Sequence, residues 1–439
     1  MLRRPALIAL LASEVISSTG SLMTALALPW FVLASSGSPS HAAYVVGATV
    51  LAYALLGIPS GTVAGRLGAR RTMLVCNVAL AGAVALIPTL HWAGLLSFPL
   101  LLLLAFADGA LSTPYAASQQ VVMPALLGEN ERVIAQANAA FQSATRLTYL
   151  AGPALAGLLI SLLGAPTILV IDAATYLVAF TLLAGFVPQV ATPPGQTDLV
   201  GVLAGVRWLW RDRLLRTLTI AQAGSQMAFQ ALSLALPVLA FVRYDHNARL
   251  AGFFLATWGL GALAGGVVAY RIVSRFDPIL MGAVAWFAYA LPLWALVVRL
   301  PAWAVFVPLV LAGLGNGLRN PPLAAIRVLR VPASLRPKAL TASGTIAWLG
   351  GAVALGGIGI ALRALGIAPV FASIAAISTA SAVAFGTVAA RSVTVVGAPV
   401  SERLAPVEPP GFPGPPPLVR LRGQASRAPE EHDSPGTGR

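Results

Sequence analysis

The sequence predicts an all-α membrane protein: twelve transmembrane helices in two pseudo-symmetric six-helix bundles. Three observations predict it. Of 439 residues, 58% are apolar and only 10% are charged, with a mean hydropathy of +0.83. An ordinary soluble domain is about 25% charged, so a soluble globule is excluded, as is a disordered or collagen-like chain. Apolar runs near the roughly 20-residue length that crosses the hydrocarbon core recur twelve times along the chain. The two halves also repeat each other's Pro, Gly and Arg residues at a nearly constant spacing.

The runs follow in order. Span one, 6–33, opens behind Arg3 and Arg4. Its basic start and Ala25-Leu26-Ala27 imitate a cleaved signal peptide. Glu14 interrupts the apolar region, however, and the run continues through Trp30 to Leu33, so it is expected to be retained. Spans two to six are 42–64, 72–91, 97–122, 138–162 and 166–187. Between spans six and seven, Leu199, Val202, Leu203 and Val206 recur at helical spacing before Arg207, Trp208, Trp210 and Arg211. This pattern predicts an amphipathic helix lying on the cytoplasmic leaflet. Spans seven to twelve are 215–241, 250–270, 278–298, 302–325, 340–362 and 367–390. From Gly397 the tail has ten prolines in 43 residues, with a run at Pro409–Pro417, and is expected to be disordered. The organisation is thus a first bundle (1–187), a cytoplasmic linker (188–214), a second bundle (215–390) and a Pro-rich tail (391–439).

Charge sets the orientation. The net charge of +14 belongs to membrane-flanking loops rather than to a nucleic-acid surface. With twelve spans, 22 basic residues fall on the side of the chain ends and 4 on the other. That puts both termini in the cytoplasm; one Lys against 27 Arg suggests a GC-rich bacterial genome, and so a bacterial plasma membrane. Cys76 is the single cysteine, so no intrachain disulfide or cysteine metal site is expected. His41, His91, His246 and His432 are scattered. No catalytic cluster, metal, cofactor or ATP-binding Gly-x-x-x-x-Gly-Lys-Ser/Thr string is found, so neither an enzyme nor an ATP-driven pump is expected.

The repeat fixes the architecture. Leu26-Ala27-Leu28-Pro29 returns 208 residues later as Leu234-Ala235-Leu236-Pro237. Gly109, Pro114 and Pro124 return as Gly317, Pro322 and Pro332 at the same spacing. Gly61, Arg66 and Arg70 return as Gly266, Arg271 and Arg275, 205 residues on. Two six-span units in the same orientation are related by an axis along the membrane normal, the arrangement that supports alternating access around a midplane site.

Two strings carry a family resemblance. Span two ends in Gly61-Thr62-Val63-Ala64-Gly65-Arg66-Leu67-Gly68-Ala69-Arg70-Arg71. It resembles the loop signature of the major facilitator superfamily, Gly-x-Leu-Ala-Asp-Arg-x-Gly-Arg-Lys. With the six-plus-six count, the resemblance spans roughly residues 1–390. The chain departs where the family has Asp, here Gly65, and where it has the first closing basic residue, here Ala69. In the family that Asp helps to lock the cytoplasmic gate. In span five, Gly152-Pro153-Ala154-Leu155-Ala156-Gly157 is similar to the Gly-Pro-x-x-Gly-Gly motif of proton-coupled exporters, with Ala156 for one Gly. Asn138 to Gly164 and the surface helix are similar to the branch with enterobactin exporters and macrolide efflux proteins. That branch often has an Arg in span four, where this chain reads Phe106-Ala107-Asp108-Gly109.

Ionisable groups inside spans are costly and usually face a cavity or a partner. Here they are Glu14, Asp108, Arg146, Asp172 and Arg319. The resemblance implies that spans one, four, seven and ten line the cavity, which points to Glu14, Asp108 and Arg319. At the 208 spacing Glu14 falls on Gln222 and Asp108 on Asn316. Gln222, Gln226 and Gln230 share one face of span seven and are expected to line the cavity with Asn316 and Arg319. Glu14 and Arg146 lie at similar depth, about 12–14 Å from the cytoplasmic side, and are expected to pair. Asp108 lies about 20 Å deep with no cation at its level, which makes it a candidate proton carrier. Asp172 reads as a structural hydrogen-bonding group, and Arg319 as a partner for Glu14 or for an anionic group on substrate.

The reading is a secondary active exporter, a proton antiporter for an amphipathic small organic compound such as a drug, macrolide or siderophore. It would act as a monomer in the lipid bilayer, without a cofactor. Two alternatives stay open: a proton-coupled importer on the same fold, and a non-transporting scaffold or sensor whose tail binds a partner.

Overall fold

A computed structural model describes residues 5–57, 59–127, 131–189, 199–273, 275–332 and 335–394. The expected disordered tail lies almost wholly outside them. The first half runs α1 (Pro5–Ser36), α2 (Pro39–Leu56), α3 (Ser60–Leu67), α4 (Ala69–Trp92), α5 (Phe98–Leu127), α6 (Glu131–Leu163) and α7 (Ala165–Phe186). A linker helix, α8 (Leu199–Arg211), leads to the second half. This runs α9 (Arg213–Arg243), α10 (Ala248–Ile272), α11 (Pro278–Ala290), α12 (Ala302–Arg330), α13 (Arg336–Leu365) and α14 (Ile367–Thr394). Among the described residues, eleven segments are long and apolar enough to cross a membrane, and Leu147–Leu163 of α6 is a shorter apolar helix.

Two spans are not the continuous α-helices that the apolar pattern predicts. Span two stops at Leu56 and restarts as α3 behind Pro59. Proline has no amide hydrogen and its ring crowds the preceding turn. Span nine leaves α geometry at Leu291, next to Pro292, and continues as a 3-10 helix over Leu291–Val297. Hydropathy does not register either change, because both segments remain apolar.

The halves share a packing plan. In the first, α1 packs on α6 and α7, α5 on α2 and α4, and α4 on α7. In the second, α9 packs on α13 and α14, α12 on α10 and α11, and α11 on α14. The repeated glycines sit at equivalent contacts. Gly109 lets α5 approach the α2 backbone at Thr49, where an added Cβ would also come 2.9 Å from the Ala52 Cβ. Gly317 lets α12 approach Ala262 of α10, where an added Cβ would come 2.6 Å from the Gly266 nitrogen. Gly317→Ala should therefore push α12 and α10 apart. A cost of about 1–3 kcal/mol is typical of overpacking, read as a lower Tm of the purified protein. An unchanged Tm would refute close backbone contact at this point.

The linker helix packs on α13 and α9. Trp208 and Leu209 near its C-terminal end are buried with Val331, Ala339 and Ala342, whereas the side chains of Leu199, Val202 and Leu203, on the apolar face expected at the leaflet, lie outside the described residues. Gly205 meets the backbone of Lys338, which leaves no room for a side chain. Asp212 caps α9 by accepting from the Leu215 amide at 3.0 Å, and Arg330 of α12 donates to the same carboxylate at 2.7 Å. Trp210, Arg207 and Arg211 remain exposed.

The closest approaches between the halves cluster toward the membrane face opposite the start of α1. Ser40 at the head of α2 donates to the Gly359 carbonyl of α13 at 2.6 Å. Gly157 of α6 faces Gly252 and Ala248 of α10. Arg249 donates to Ser161 at 2.8 Å, and the Trp30 and Phe241 rings meet edge to face at 5.5 Å. Toward the other face, α3 packs on α4 and α5 of its own half.

Candidate functional site

Glu14, Asp108, the three glutamines, Asn316 and Arg319 lie on α1, α5, α9 and α12. In the first half Glu14 (α1) is half-buried. Ser18, one turn on, donates to its Oε1 at 2.9 Å, and Gln119 of α5 donates to its Oε2. In the second half Arg327 of α12 donates to Oε1 of Gln222 (α9) at 3.3 Å. Glu14 and Gln222 are 208 residues apart, and so are Gln119 and Arg327. Each bundle thus ties its first span to its fourth, α1 to α5 and α9 to α12, at the same place. One tie holds an acid and the other a cation.

Asp108 sits one residue before the Gly109 contact, which fixes its height against α2. It is half-exposed, and among the described residues its carboxylate has no hydrogen-bond partner. Tyr53 of α2 and Asp172 of α7 lie within electrostatic range of it. Asp172 itself is 1% exposed, accepts from Thr24 at 2.5 Å and from Thr175 at 3.2 Å, and stands against Gly20 of α1. Its contacts are the structural hydrogen bonds that the sequence suggests.

The glutamine row divides. Gln222 and Gln226 are half-buried, whereas Gln230 is buried with its stem against Gly351 of α13. Asn316 is half-buried and accepts from Arg319 at 2.8 Å. Arg319 does not meet Glu14. It is 4% exposed and points into the second bundle, where it donates to Ser225 of α9 at 2.5 Å and lies over the Tyr289 and Trp286 rings of α11. Arg146 lies on α6, but its side chain is outside the described residues, so the expected Glu14–Arg146 pair is too; the described partners of Glu14 are Ser18 and Gln119.

The two sequence strings are placed as follows. Gly61 and Arg66 are on α3, and Gly68 has φ +84°, a left-handed turn that favours glycine, between α3 and α4. Arg71 is exposed. Arg70 turns inward and donates to the Ala184 and Val187 carbonyls at 2.7 and 2.5 Å, closing the C-terminal end of α7 with a positive charge. In the span-five string Gly152 and Pro153 lie on α6, Gly152 faces Leu22 of α1, and Gly157 forms the cross-bundle contact with α10. Gln119 and Arg327 are missing from the sequence-level site. The 208 spacing that links Glu14 to Gln222 would have found both.

The family model for the Major Facilitator Superfamily matches residues 10–355. The chain belongs to the major facilitator superfamily. Its members and relatives of this kind are transporters, not enzymes. Among curated proteins it is similar to the multidrug efflux pump Tap of Mycobacterium tuberculosis, 27% identical over 288 residues, covering 62% of this chain and 68% of that protein. The Tap pump of Mycolicibacterium fortuitum is 23% identical over 364 residues, covering 80% of this chain and 88% of that protein. Among solved structures, the nucleoside transporter NupG superposes with a TM-score of 0.69 at 13% identity, covering 87% and 98% of the two chains. A D-xylose–proton symporter superposes with a TM-score of 0.64 at 16% identity, covering 87% and 96%. These structures establish the shared fold of a multi-pass membrane transporter.

Proposed function

We propose that this superfamily member is a proton-coupled exporter of amphipathic small organic compounds. It works as a monomer in a bacterial plasma membrane with both chain ends in the cytoplasm. The observation that carries the reading is the pair of equivalent ties, Glu14–Gln119 and Gln222–Arg327. They put one titratable acid and one fixed cation on opposite bundles, at opposite ends of equivalent ties. The multidrug efflux named for the similar Tap pumps supplies the substrate class.

In the proposed cycle the bundles are closed at the outer face, and substrate enters from the cytoplasm between α1, α5, α9 and α12. Glu14 and Asp108 carry protons inward, opposite to the substrate. A ligand shifts a two-state protein only by binding one state better than the other. Protonation of Glu14 meets that condition, because it removes the charge that Arg327 would attract when the bundles close at the cytoplasmic face.

The test is a susceptibility panel in an efflux-deficient host expressing the protein, with and without a protonophore. Reduced susceptibility to several amphipathic compounds, lost with the protonophore, is the expected result. Resistance that survives the protonophore would sink the proton coupling. Asp108→Asn should abolish pH-gradient-driven accumulation in everted vesicles. Unchanged accumulation would remove Asp108 from the proton path.

A further inference from the structure

The turn between α3 and α4 concentrates positive charge. Arg66, Arg70 and Arg71 fall within six residues, and the sequence has no acidic residue between Glu14 and Asp108. Arg66 and Arg71 are exposed, and among the described residues neither forms an ion pair. Arg70 is held by the Ala184 and Val187 carbonyls at the end of α7, through its Nη2 and Nε. Carbonyl oxygens at a helix end carry only partial charge, so the turn keeps most of its positive charge.

A cavity of about 270 Å³ opens at this turn, lined by Leu67, Gly68, Arg70, Arg71 and Gln189. Two guanidiniums and a side-chain amide supply its donors, and none of the five residues carries a negative charge. Guanidinium groups hold phosphate oxygens with paired N–H donors. The space is smaller than the roughly 300–1,000 Å³ of pockets that take drug-sized ligands. It suits an anionic headgroup better than a whole transported compound.

The surroundings identify the source of that anion. The cavity lies at the membrane face where α1 begins, since Ala69 at the head of α4 and Val187 after α7 pack with Leu7 and Leu10 of α1. Leu67 in the cavity wall is exposed, and so is Phe186 at the end of α7. Arg71, Val75 and Val78 recur at helical spacing on one face of α4, and both valines are exposed. An apolar stripe therefore runs from Arg71 into the span, on the line that an acyl chain below a bound phosphate would take. A free phosphate uses none of it.

We propose that the α3–α4 turn binds the phosphate of an anionic phospholipid. Arg70, Arg71 and Gln189 hold the headgroup, Arg66 adds to the attraction, and an acyl chain follows Val75 and Val78 along α4. The lipid supplies the negative charge that the turn lacks and joins the turn to the end of α7. The site belongs to the first bundle, and its occupancy does not depend on export.

The experiment uses the full chain, purified in dodecyl maltoside and stripped of co-purified lipid. It is titrated with dioleoylphosphatidylglycerol, with dioleoylphosphatidylcholine and with glycerol phosphate, and Tm is followed by tryptophan fluorescence. Mass action predicts a saturating rise of about 2–4 °C with phosphatidylglycerol. Phosphatidylcholine, which has no net charge, and glycerol phosphate, which has no acyl chain, should give none over the same concentrations. Arg71→Gln should raise the half-saturating phosphatidylglycerol concentration about fivefold, the weight of one basic residue at an anionic lipid surface. Arg207→Gln removes the same charge from an exposed position on α8 and should leave the titration unchanged. Both side chains are exposed, so both variants are expected to fold. No rise with phosphatidylglycerol, an equal rise with phosphatidylcholine or glycerol phosphate, an unshifted titration in Arg71→Gln, or an equal shift in Arg207→Gln would each overturn the proposal.

Discussion

Glu14→Gln is expected to abolish pH-gradient-driven substrate accumulation in everted vesicles while leaving substrate exchange without a gradient intact. Gln keeps the size and one acceptor oxygen for Gln119, and its amide nitrogen can donate to the Ser18 hydroxyl, which then turns to accept. It removes the one thing Glu14 adds, a charge that comes and goes with a proton. Across the pseudo-twofold axis, Arg327 keeps its charge throughout the cycle. In the proposed cycle an ionised Glu14 would meet Arg327 when the cytoplasmic ends of the bundles close. Losing one partner of a buried pair costs about 3–5 kcal/mol, and about 5.5 kcal/mol is enough to move a two-state equilibrium from 1:99 to 99:1. Arg327→Gln should therefore produce the same uncoupled phenotype as Glu14→Gln. The double variant should be no worse than either single one, because each already lacks the pair. Additive losses, or a Glu14→Gln protein that still concentrates substrate against a gradient, would show that the acid and the cation do not act together.

Much of this architecture is legible in the sequence because the bilayer leaves few choices. Backbone amides and carbonyls must be satisfied within the chain, so each run of about 20 apolar residues becomes a helix. The 208-residue spacing survives because Gly109 and Gly317 each hold a helix against a neighbouring backbone, where no side chain fits. What the sequence leaves open is rotation about a helix axis. Arg319 reads as a cavity residue by its span, yet it points into its own bundle, over the α11 rings. An amphipathic helix is equally satisfied by lipid or by protein, and in α8 the described Trp208 and Leu209 are buried with Ala339 and Ala342 of α13. Gln119 escapes notice because a lone glutamine in an apolar helix carries no charge to mark it, while Arg327 passes for an ordinary loop arginine. Their functional meaning lies in the pairing, which hydropathy does not encode.

The proposed cycle makes the α6–α10 contact the outer seal, which gives the second large effect: Gly252→Leu should weaken closure there and block transport. The α6–α10 contact is backbone against backbone. A Cβ on Gly157 would lie 2.8 Å from the Gly252 Cα and 2.6 Å from the Ala248 carbonyl, and a Cβ on Gly252 would press into the Pro153 carbonyl. Pro153 cannot donate to the turn before it, which leaves α6 locally free to bend and approach α10. Small residues are what allow two membrane helices to come this close. A leucine at Gly252 cannot be accommodated by rotating a flexible side chain, because the atoms it meets belong to the backbone. The bundles must separate there, and the Ser40–Gly359 bond on the other side of the seal loses its geometry with them. The readout is accessibility. A cysteine introduced at Ser40, in a background with Cys76 replaced, should react slowly with a membrane-impermeant maleimide in the parent and at least about tenfold faster in Gly252→Leu, since 1.4 kcal/mol of lost closure is a factor of ten. Export should fall in parallel while the protein remains in the membrane at normal abundance. If labelling at Ser40 is unchanged and export persists, the glycine contact packs the two bundles without closing the outer path, and the assignment of α6 and α10 as the seal is wrong.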